Sequence, residues 1–175
     1  MKTALLIKRF LTPPFVVSFI YWRRYGAKVS LRAEVDLTDN ITFGAGCIVS
    51  SFTKMKAAFG PIRLGEHVQI STHCFLDTGA AGVTIGDHAM IGPLTCIVGV
   101  NYSYARLDQA IALQPKTSKG IRIGKGAWIG AGCMILDGAD VGDNAIVTPN
   151  SVVAGRVPEN AIVQGNPAQV IFTRR

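Results

Sequence analysis

A six-residue period in the apolar residues restricts the fold of this chain more than any other feature of its sequence. An amphipathic helix repeats about every 3.6 residues and a strand every two, so neither produces such a period. The clearest block is the aliphatic series Ile123, Ile129, Ile135, Val141, Val147 and Val153. The spacing recurs, with one wider gap, in Leu64, Ile70, Leu76, Ile85, Ile91 and Ile97, and more faintly in Leu31, Leu37, Phe43 and Val49. A repeat of this length predicts a solenoid.

Each hexapeptide of the predicted solenoid forms one short strand and a turn, and three of them close a triangular coil of about eighteen residues. The aliphatic residue fills the interior. A small residue four positions later fits beside it, in the series Ala127, Cys133, Ala139, Ala145 and Ser151, with Val157 in the last case. Glycines such as Gly124 relieve the tight turns, because positive φ costs glycine little. The cysteines Cys47, Cys74 and Cys133 fall on the small position, which predicts core fillers rather than nucleophiles.

Two stretches carry a resemblance to a known family, "IGKGAWIGAG" at 123–132 and "VQGNPAQVI" at 163–171. Together with the sustained repeat they resemble the left-handed parallel β-helix of the hexapeptide-repeat acyltransferases, and among these the small acetyltransferases of sugars, antibiotics and surface polysaccharides. The resemblance implies an all-β homotrimer with active sites between adjacent subunits. It also implies acetyl-CoA as donor and a sugar-type acceptor, linked to a nucleotide or a lipid carrier during surface-polysaccharide assembly.

Three interruptions of the period mark the predicted organisation of the chain. The excess over the period is nine residues between 49 and 64, three between 76 and 85, and twenty between 97 and 123. An insertion must leave a solenoid at a corner, and long loops on rigid scaffolds commonly carry function. We expect a basic apolar segment, helical or irregular, at 1–30, a β-helix domain at 31–172 with an arm at 98–120, and a basic tail at 173–175. In the resembling enzymes such an arm helps enclose the acceptor; an arm that only locks the trimer is the alternative.

Tyr102 occupies the position at which the resembling enzymes carry their catalytic histidine. That histidine stands five residues after the last aliphatic residue before the arm, often behind an asparagine, and here Asn101 and Tyr102 follow Ile97 in this way. A histidine with a pKa of about 6.5 suits proton abstraction at neutral pH, whereas a phenol with a pKa of about 10 does not. Three interpretations stay open: a base whose pKa is lowered by nearby cations, a residue that orients the acceptor, or a non-catalytic trimeric scaffold. The candidate cations are Arg106, Lys116 and Lys119.

The three histidines stand at the fourth position of their hexapeptides, which points outward. His88 is expected to stack above His67, and His73, from an adjacent subunit, is the alternative base. The γ-class carbonic anhydrases of this fold need three converging histidines at other spacings, so no metal site is expected.

On the donor side, the resemblance places acetyl-CoA in a groove between C-terminal coils. Pro149 stands where the family supplies a backbone N–H, and proline has none. Direct attack on the thioester is expected, because no cysteine or serine lies beside a candidate base. The residues implied in donor binding are Ala131, Ala154, Gly155 and Arg156, with Lys125, Arg174 and Arg175 for the phosphates.

The positive charge is concentrated at the N-terminus. Seven basic residues precede the first acidic residue, Glu34, while the other eleven balance the eleven acids, so the whole net charge of +7 lies in residues 1–32. The apolar run "FVVSFIYW" at 15–22 is too short for a transmembrane helix, and the basic pair at 8–9 interrupts any signal-peptide core. We expect residues 1–32 either to contact an anionic membrane surface or to pack on the protein itself. Nucleic acid binding is not expected.

The compartment expected for this chain is the cytoplasm. Its four cysteines show no CxxC spacing, and free thiols suit a reducing environment. If residues 1–32 contact a membrane, the location becomes peripheral, at the inner face of that membrane.

Overall fold

The computed structural model describes residues 12–175, in which one helix precedes a three-faced parallel β-helix. Helix α1 spans Pro14–Tyr25, within the segment predicted to be helical or irregular. The first strand begins at Lys28 and the last ends at Thr173, against predicted limits of 31 and 172 for the β-helix. Part of the predicted membrane contact rests on Lys2, Lys8 and Arg9, which lie outside the described residues.

The three faces are sheets that run the length of the solenoid. The first face contains β1 (Lys28–Val29), β4 (Ile48–Val49), β7 (Gln69–Ile70), β10 (Met90–Ile91), β15 (Trp128–Ile129), β18 (Ile146–Val147), β21 (Ala161–Gly165) and β22 (Ala168–Thr173). The second contains β2 (Glu34–Val35), β5 (Lys54–Lys56), β8 (Phe75–Thr78), β11 (Cys96–Gly99), β16 (Met134–Leu136) and β19 (Val152–Val153). The third contains β3 (Ile41–Phe43), β6 (Ile62–Leu64), β9 (Val83–Ile85), β14 (Ile121–Ile123), β17 (Asp140–Val141) and β20 (Arg156–Val157). Neighbouring strands pair in parallel, except for the antiparallel pair β21 and β22.

Interior residues of successive coils stack in register. On the first face Ile129 lies opposite Val147, and on the second face Ile135 lies opposite Val153. Both pairs are eighteen residues apart, as the period predicts. All four side chains are at most 2% exposed. The all-β coil of three hexapeptides is therefore confirmed.

The cysteines at the small position are buried as predicted. Cys47, Cys74 and Cys133 are at most 1% exposed. Burial raises the pKa of the Cys74 thiol to about 11 and also raises the pKa of the other two. Each thiol donates a hydrogen bond to a carbonyl of the following coil, at Gly65, Gly92 and Thr148 respectively. These protonated thiols fill the core.

Glycine is required after the aliphatic residue for a different reason from the predicted one. The left-handed φ falls two positions later, at Gly126 (63°) and His67 (55°). A Cβ on Gly124 would lie 2.6 Å from the backbone nitrogen of Asp143 and 2.7 Å from the carbonyl carbon of Gly142. The prediction that positive φ explains Gly124 is wrong: the close approach of stacked coils requires glycine there.

The predicted register of the first coil is also wrong. Its interior residues are Val29 and Val35, whereas Leu31 is 60% exposed. The chain between Val35 and Phe43 is two residues longer than the period. The register of Phe43 therefore cannot be extended backwards to Leu37.

Two further turns differ from their predicted lengths. Met55 is fully buried on the second face, so the excess between Val49 and Leu64 shrinks from nine residues to three. Val157 lies opposite Val141 on the third face. It therefore fills the interior rather than the small position, because the turn before it is two residues shorter than the period.

All three insertions leave the solenoid at one edge, between the second and third faces. We call this the arm edge; it comprises residues 57–61, 79–82 and 100–120, which connect β5 to β6, β8 to β9 and β11 to β14. Neighbouring insertions are joined by hydrogen bonds. The Thr78 hydroxyl donates to the Gly60 carbonyl at 2.8 Å, and the Gly79 N–H donates to the Gly99 carbonyl at 3.0 Å. The long arm therefore rests on a stack of shorter insertions.

Helix α1 covers the N-terminal end of the solenoid. Tyr21, 2% exposed, meets the ring of Phe43 at a centroid distance of 4.9 Å and donates a hydrogen bond to the Asp36 carbonyl at 2.7 Å. The helix ends at Gly26, whose φ of 67° is left-handed and whose N–H donates to the Trp22 carbonyl. Among residues 12–175, no helix has the length and apolar character needed to cross a bilayer.

Candidate active site

The arm leaves the second face as a short antiparallel hairpin. Strand β12 (Asn101–Tyr102) pairs with β13 (Lys116–Thr117), and Tyr102 lies opposite Lys116. Between them is a 3-10 helix at Ile111–Leu113. The Gln114 side chain is 5% exposed and donates to the carbonyls of Arg106 and Gln109. The buried side-chain amide of Gln114 thus holds the tip of the arm together.

Asp137 anchors both ends of the arm to the solenoid. The side chain is 7% exposed and follows β16 at the arm edge. Its carboxylate accepts the N–H of Lys119 at 2.8 and 2.9 Å and the N–H of Gly120 at 2.9 Å, where the arm ends. Where the arm begins, the Asn101 amide donates to the same carboxylate at 3.5 Å. Sequence reasoning missed Asp137, because most of its partners are backbone groups that no side-chain pattern reveals.

Tyr102 lies at the base of the arm against a lysine. It is 40% exposed, and the Lys116 ammonium is 5.0 Å from the centroid of its ring. The same ammonium is 5.0 Å from the ring centroid of Phe59, which belongs to the insertion at 57–61, two coils before the arm. A cation between two aromatic faces is attracted by both. Phe59 was not foreseen either, since it lies 43 positions before Tyr102 in the chain.

The other two candidate cations are engaged elsewhere. Arg106 pairs with Asp108 at 2.6 Å, and this guanidinium lowers the pKa of the Asp108 carboxyl. The aliphatic part of the Lys119 side chain lies beside Gly138; a Cβ on Gly138 would be 3.2 Å from the lysine Cδ. The structure therefore brings Lys116, of the three, to the ring of Tyr102.

The histidines lie on the other two edges of the solenoid. His88 stacks on His67 at a centroid distance of 5.1 Å and an interplanar angle of 12°, as the repeat predicts. His73 stacks on Phe52 at 4.9 Å, and its Nδ1 is 2.7 Å from the Thr72 hydroxyl oxygen. Within residues 12–175 there is no group of three histidine, cysteine or acidic side chains that could hold a metal ion. One chain does not bring His73 and Tyr102 to the same edge.

The predicted donor residues are divided among the three edges. Ala154, Gly155 and Arg156 are exposed at the arm edge, where a Cβ on Gly155 would meet no atom within 4 Å. Lys125 and Arg174 lie near each other between the third and first faces, because Asn144 donates its N–H to the Lys125 carbonyl and accepts the Arg174 guanidinium. On the remaining edge, the Ala131 carbonyl accepts the Asn150 N–H at 2.9 Å. One chain therefore assembles these residues only in part.

Comparison with known proteins finds a family model for the repeat and a set of solved structures with a similar fold. Residues 120–155 match the family model of the bacterial transferase hexapeptide (six repeats). No protein with a curated description matches the chain by sequence. Among solved structures, the chain is similar to AntD, an N-acyltransferase from Bacillus cereus in complex with dTDP and 3-hydroxybutyryl-CoA. The TM-score is 0.76 at 19% identity, over 86% of this chain and 81% of AntD.

Two further structures extend this likeness. A serine-to-alanine variant of AntD, in complex with dTDP-4-amino-4,6-dideoxyglucose and coenzyme A, gives a TM-score of 0.78 at 17% identity, over 90% of this chain and 88% of that one. A hexapeptide-repeat acetyltransferase from Vibrio cholerae O1 biovar eltor, VCA0836, complexed with acetyl coenzyme A, gives 0.61 at 23% identity, over 97% and 83%. At these identities the likeness establishes the fold. The predicted left-handed parallel β-helix is confirmed.

Proposed function

We propose that this chain is an acetyltransferase that moves the acetyl group of acetyl-CoA to a hydroxyl or amine of a sugar-type acceptor. The observation that carries the proposal is the arm edge. A long arm leaves a hexapeptide coil there, and the buried Asp137 fixes both of its ends, so that Asn101 and Tyr102 stand at its base. The similar AntD structures with a dTDP-sugar and coenzyme A support a nucleotide-linked acceptor, and a role in surface-polysaccharide assembly is the setting we infer.

The proposed reaction requires the chain mainly to orient two reactants. Acetyl-CoA supplies an activated thioester. As the acceptor oxygen or nitrogen bonds to the acetyl carbon, the carbon–sulfur bond breaks, and the proton lost by the acceptor passes through solvent to the departing thiolate, which leaves as the free thiol of coenzyme A. Tyr102 hydrogen-bonds the acceptor and holds it for attack, and the Lys116 ammonium over the face of its ring holds the phenol in place. Orientation of two reactants is itself a large contribution to rate. We assign Tyr102 this orienting role.

The donor residues fit an extended ligand with phosphates. Gly155 leaves open space at the arm edge, and Arg156 beside it offers a guanidinium for a phosphate. Lys125 and Arg174 form a second cationic pair on another edge. Pro149 removes one backbone donor, and its nitrogen packs under Gly130 instead. These residues would hold coenzyme A between chains rather than on one chain.

We infer a homotrimer, in which donor residues on different edges of neighbouring chains would lie close together. On the first face the outward residues Ile48, Met90 and Trp128 are 39%, 44% and 47% exposed. They lie in one row because their strands pair in register, with Gln69 of β7 between Ile48 and Met90. The outward row of the third face is polar, with Arg63 and Arg122 exposed. An apolar row of this kind favours contact with a second copy.

Replacing Tyr102 tests the proposed activity. Tyr102→Phe keeps the ring that contacts Lys116 but removes the hydroxyl, and we expect acetyl transfer to fall about tenfold, the value of one hydrogen bond to the acceptor. Tyr102→His restores the family's base and is expected to raise the rate. The measurement is release of free coenzyme A thiol with a panel of amino sugars and nucleotide sugars. Tyr25→Phe, in the helix, is the matched control.

Other outcomes separate the alternatives. Unchanged turnover in Tyr102→Phe would show that the phenol takes no part, and His73→Ala would be examined next. A wild-type protein that binds acetyl-CoA without turnover, and gains it in Tyr102→His, would be a scaffold or sensor that has lost its base. A wild-type protein with neither binding nor turnover would contradict the proposal.

The trimer is tested at its apolar row. We expect wild type to sediment as a trimer and Trp128→Glu as a monomer, because the carboxylate would be buried without a partner. Arg63→Glu, on the polar third face, is the control and should remain trimeric. A wild-type monomer in sedimentation velocity at micromolar concentration would contradict the assembly and with it a donor site between chains.

A further inference from the structure

Helix α1 has two apolar faces, and the first of them packs on the protein. Val17, Tyr21 and Tyr25 recur every four residues and lie on the hydrophobic core. Tyr21 and Tyr25 both meet the ring of Phe43, at centroid distances of 4.9 and 6.1 Å. These contacts fix the rotation of the helix about its axis, and with it the direction of the opposite face.

The opposite face presents three large aromatic side chains to solvent. Phe15, Phe19 and Trp22 are 63%, 59% and 55% exposed, at spacings of four and three residues. The rings of Phe19 and Trp22 are neighbours, with centroids 6.0 Å apart. Three adjacent exposed rings on one side of a helix form an apolar patch of the kind that marks an interaction site.

The chain that follows this patch is basic. Arg23 is exposed and follows Trp22 in the helix, and the exposed Lys28 and Arg32 follow the helix in the sequence; the Arg32 guanidinium lies 5.9 Å from the ring centroid of Phe52. Arg24 pairs with Asp39 at 2.8 Å, so its charge is already balanced. In the sequence, residues 1–33 contain no acidic residue. An aromatic patch followed by basic residues complements a surface that has an apolar interior and anionic groups at its boundary.

We propose that the aromatic face of helix α1 docks on an anionic phospholipid bilayer, with Phe15, Phe19 and Trp22 among the headgroups and acyl chains and the basic residues on the lipid phosphates. The helix of twelve residues is about 18 Å long, enough to lie in the interface but not to cross it. A second copy of the chain is a poorer occupant, because two such patches in contact would also bring their cations together. The proposal concerns another surface than the arm edge and does not depend on the proposed function.

The chain carries its own probe of this contact. It has two tryptophans, so Trp128→Phe leaves Trp22 as the single one. With vesicles containing phosphatidylglycerol we expect cosedimentation, a blue shift of the Trp22 emission, and quenching by brominated acyl chains. With phosphatidylcholine vesicles the binding is expected to be weaker, since each basic residue near an anionic surface contributes about 1 kcal/mol, or about fivefold.

Matched variants separate the aromatic and cationic contributions. Phe19→Glu is expected to weaken vesicle binding about tenfold or more, and Arg23→Gln about fivefold. Phe59→Glu is the control, because Phe59 is as exposed as Phe19 (60% against 59%) but lies on the arm edge. Urea unfolding of each variant establishes that the fold is intact.

Three results would overturn the proposal. The first is a Trp22 emission that does not change when the protein binds vesicles, which would assign the binding to residues 1–11. A second is equal binding by wild type and Phe19→Glu. The third is concentration-dependent association without vesicles that Phe19→Glu abolishes, which would make the patch a contact between copies.

Discussion

Gly124→Ala is expected to lower the free energy of unfolding by about 3 kcal/mol, because a methyl group there overlaps the next coil. A Cβ on Gly124 would lie 2.4 Å from the Asp143 carboxylate and 2.6 Å from the Asp143 backbone nitrogen. The carboxylate can rotate away, but the backbone is held by the hydrogen bond from the Gly124 N–H to the Val141 carbonyl at 2.8 Å. The coils must therefore separate locally. Urea denaturation measures the loss.

Gly155→Ala is the matched control for this substitution. A Cβ on Gly155 would meet no atom within 4 Å, and its φ, like that of Gly124, is not left-handed. We expect its free energy of unfolding to stay within about 0.5 kcal/mol of wild type. Equal free energies of unfolding for the two variants would refute the steric explanation for Gly124 and for the column of glycines stacked with it between the third and first faces. The other members of that column, each under the backbone of the following coil, are Gly44, Gly65, Gly86 and Gly142.

Asp137→Ala is expected to reduce acetyl transfer about a hundredfold while the coil stays folded. The substitution leaves the N–H groups of Lys119 and Gly120 without their acceptor and frees the amide of Asn101. The base of the arm then shifts, and a displacement of about 1 Å in a positioned reactant can cost about a hundredfold in rate. Because Asp137 acts through the arm, kcat is expected to fall more than the affinity for acetyl-CoA.

Two comparisons distinguish positioning from general damage. Asp137→Asn keeps one oxygen that can accept these N–H groups and should retain more activity than Asp137→Ala. Asp140→Ala removes a half-exposed partner of Arg122 on the neighbouring strand and is expected to cost little. Limited trypsin digestion gives a readout independent of turnover. Arg106 and Lys116 are already exposed, and we expect faster cleavage at both once the backbone of a released arm can enter the protease. An arm that resists trypsin in Asp137→Ala to the same extent as in wild type would refute the anchor.

The interior of the fold was predictable from the sequence because each coil admits one class of residue at one position. The column that includes Ile129 and Val147 must be aliphatic in every coil, and any polar residue there would be buried without a partner. Turn length obeys no such rule. The two extra residues before Phe43 and the shortened turn before Val157 lie at corners, where the chain can be longer or shorter without disturbing the column. The register errors arose at those corners.

The candidate site was predictable only where it depends on spacing. The arm, the position of Tyr102 and the stack of His67 and His88 all follow from counting hexapeptides. Asp137 and Phe59 did not follow from it. Asp137 accepts hydrogen bonds from backbone N–H groups, and Phe59 contacts Lys116 through the face of its ring. Both are far from the arm in sequence, and no local motif marks either contact.

The placement of every insertion on one edge has a consequence for how such a protein can change. Residues that stack must keep their spacing through the described chain, whereas the corner occupied by 57–61, 79–82 and 100–120 can differ in length as long as its ends return to the same two strands. The molecule is thus divided into a frame whose spacing is fixed by stacking and one corner whose length is not. A chain with the same frame could carry a different arm at this corner, and so present different side chains to a ligand, without changing the packing of any coil.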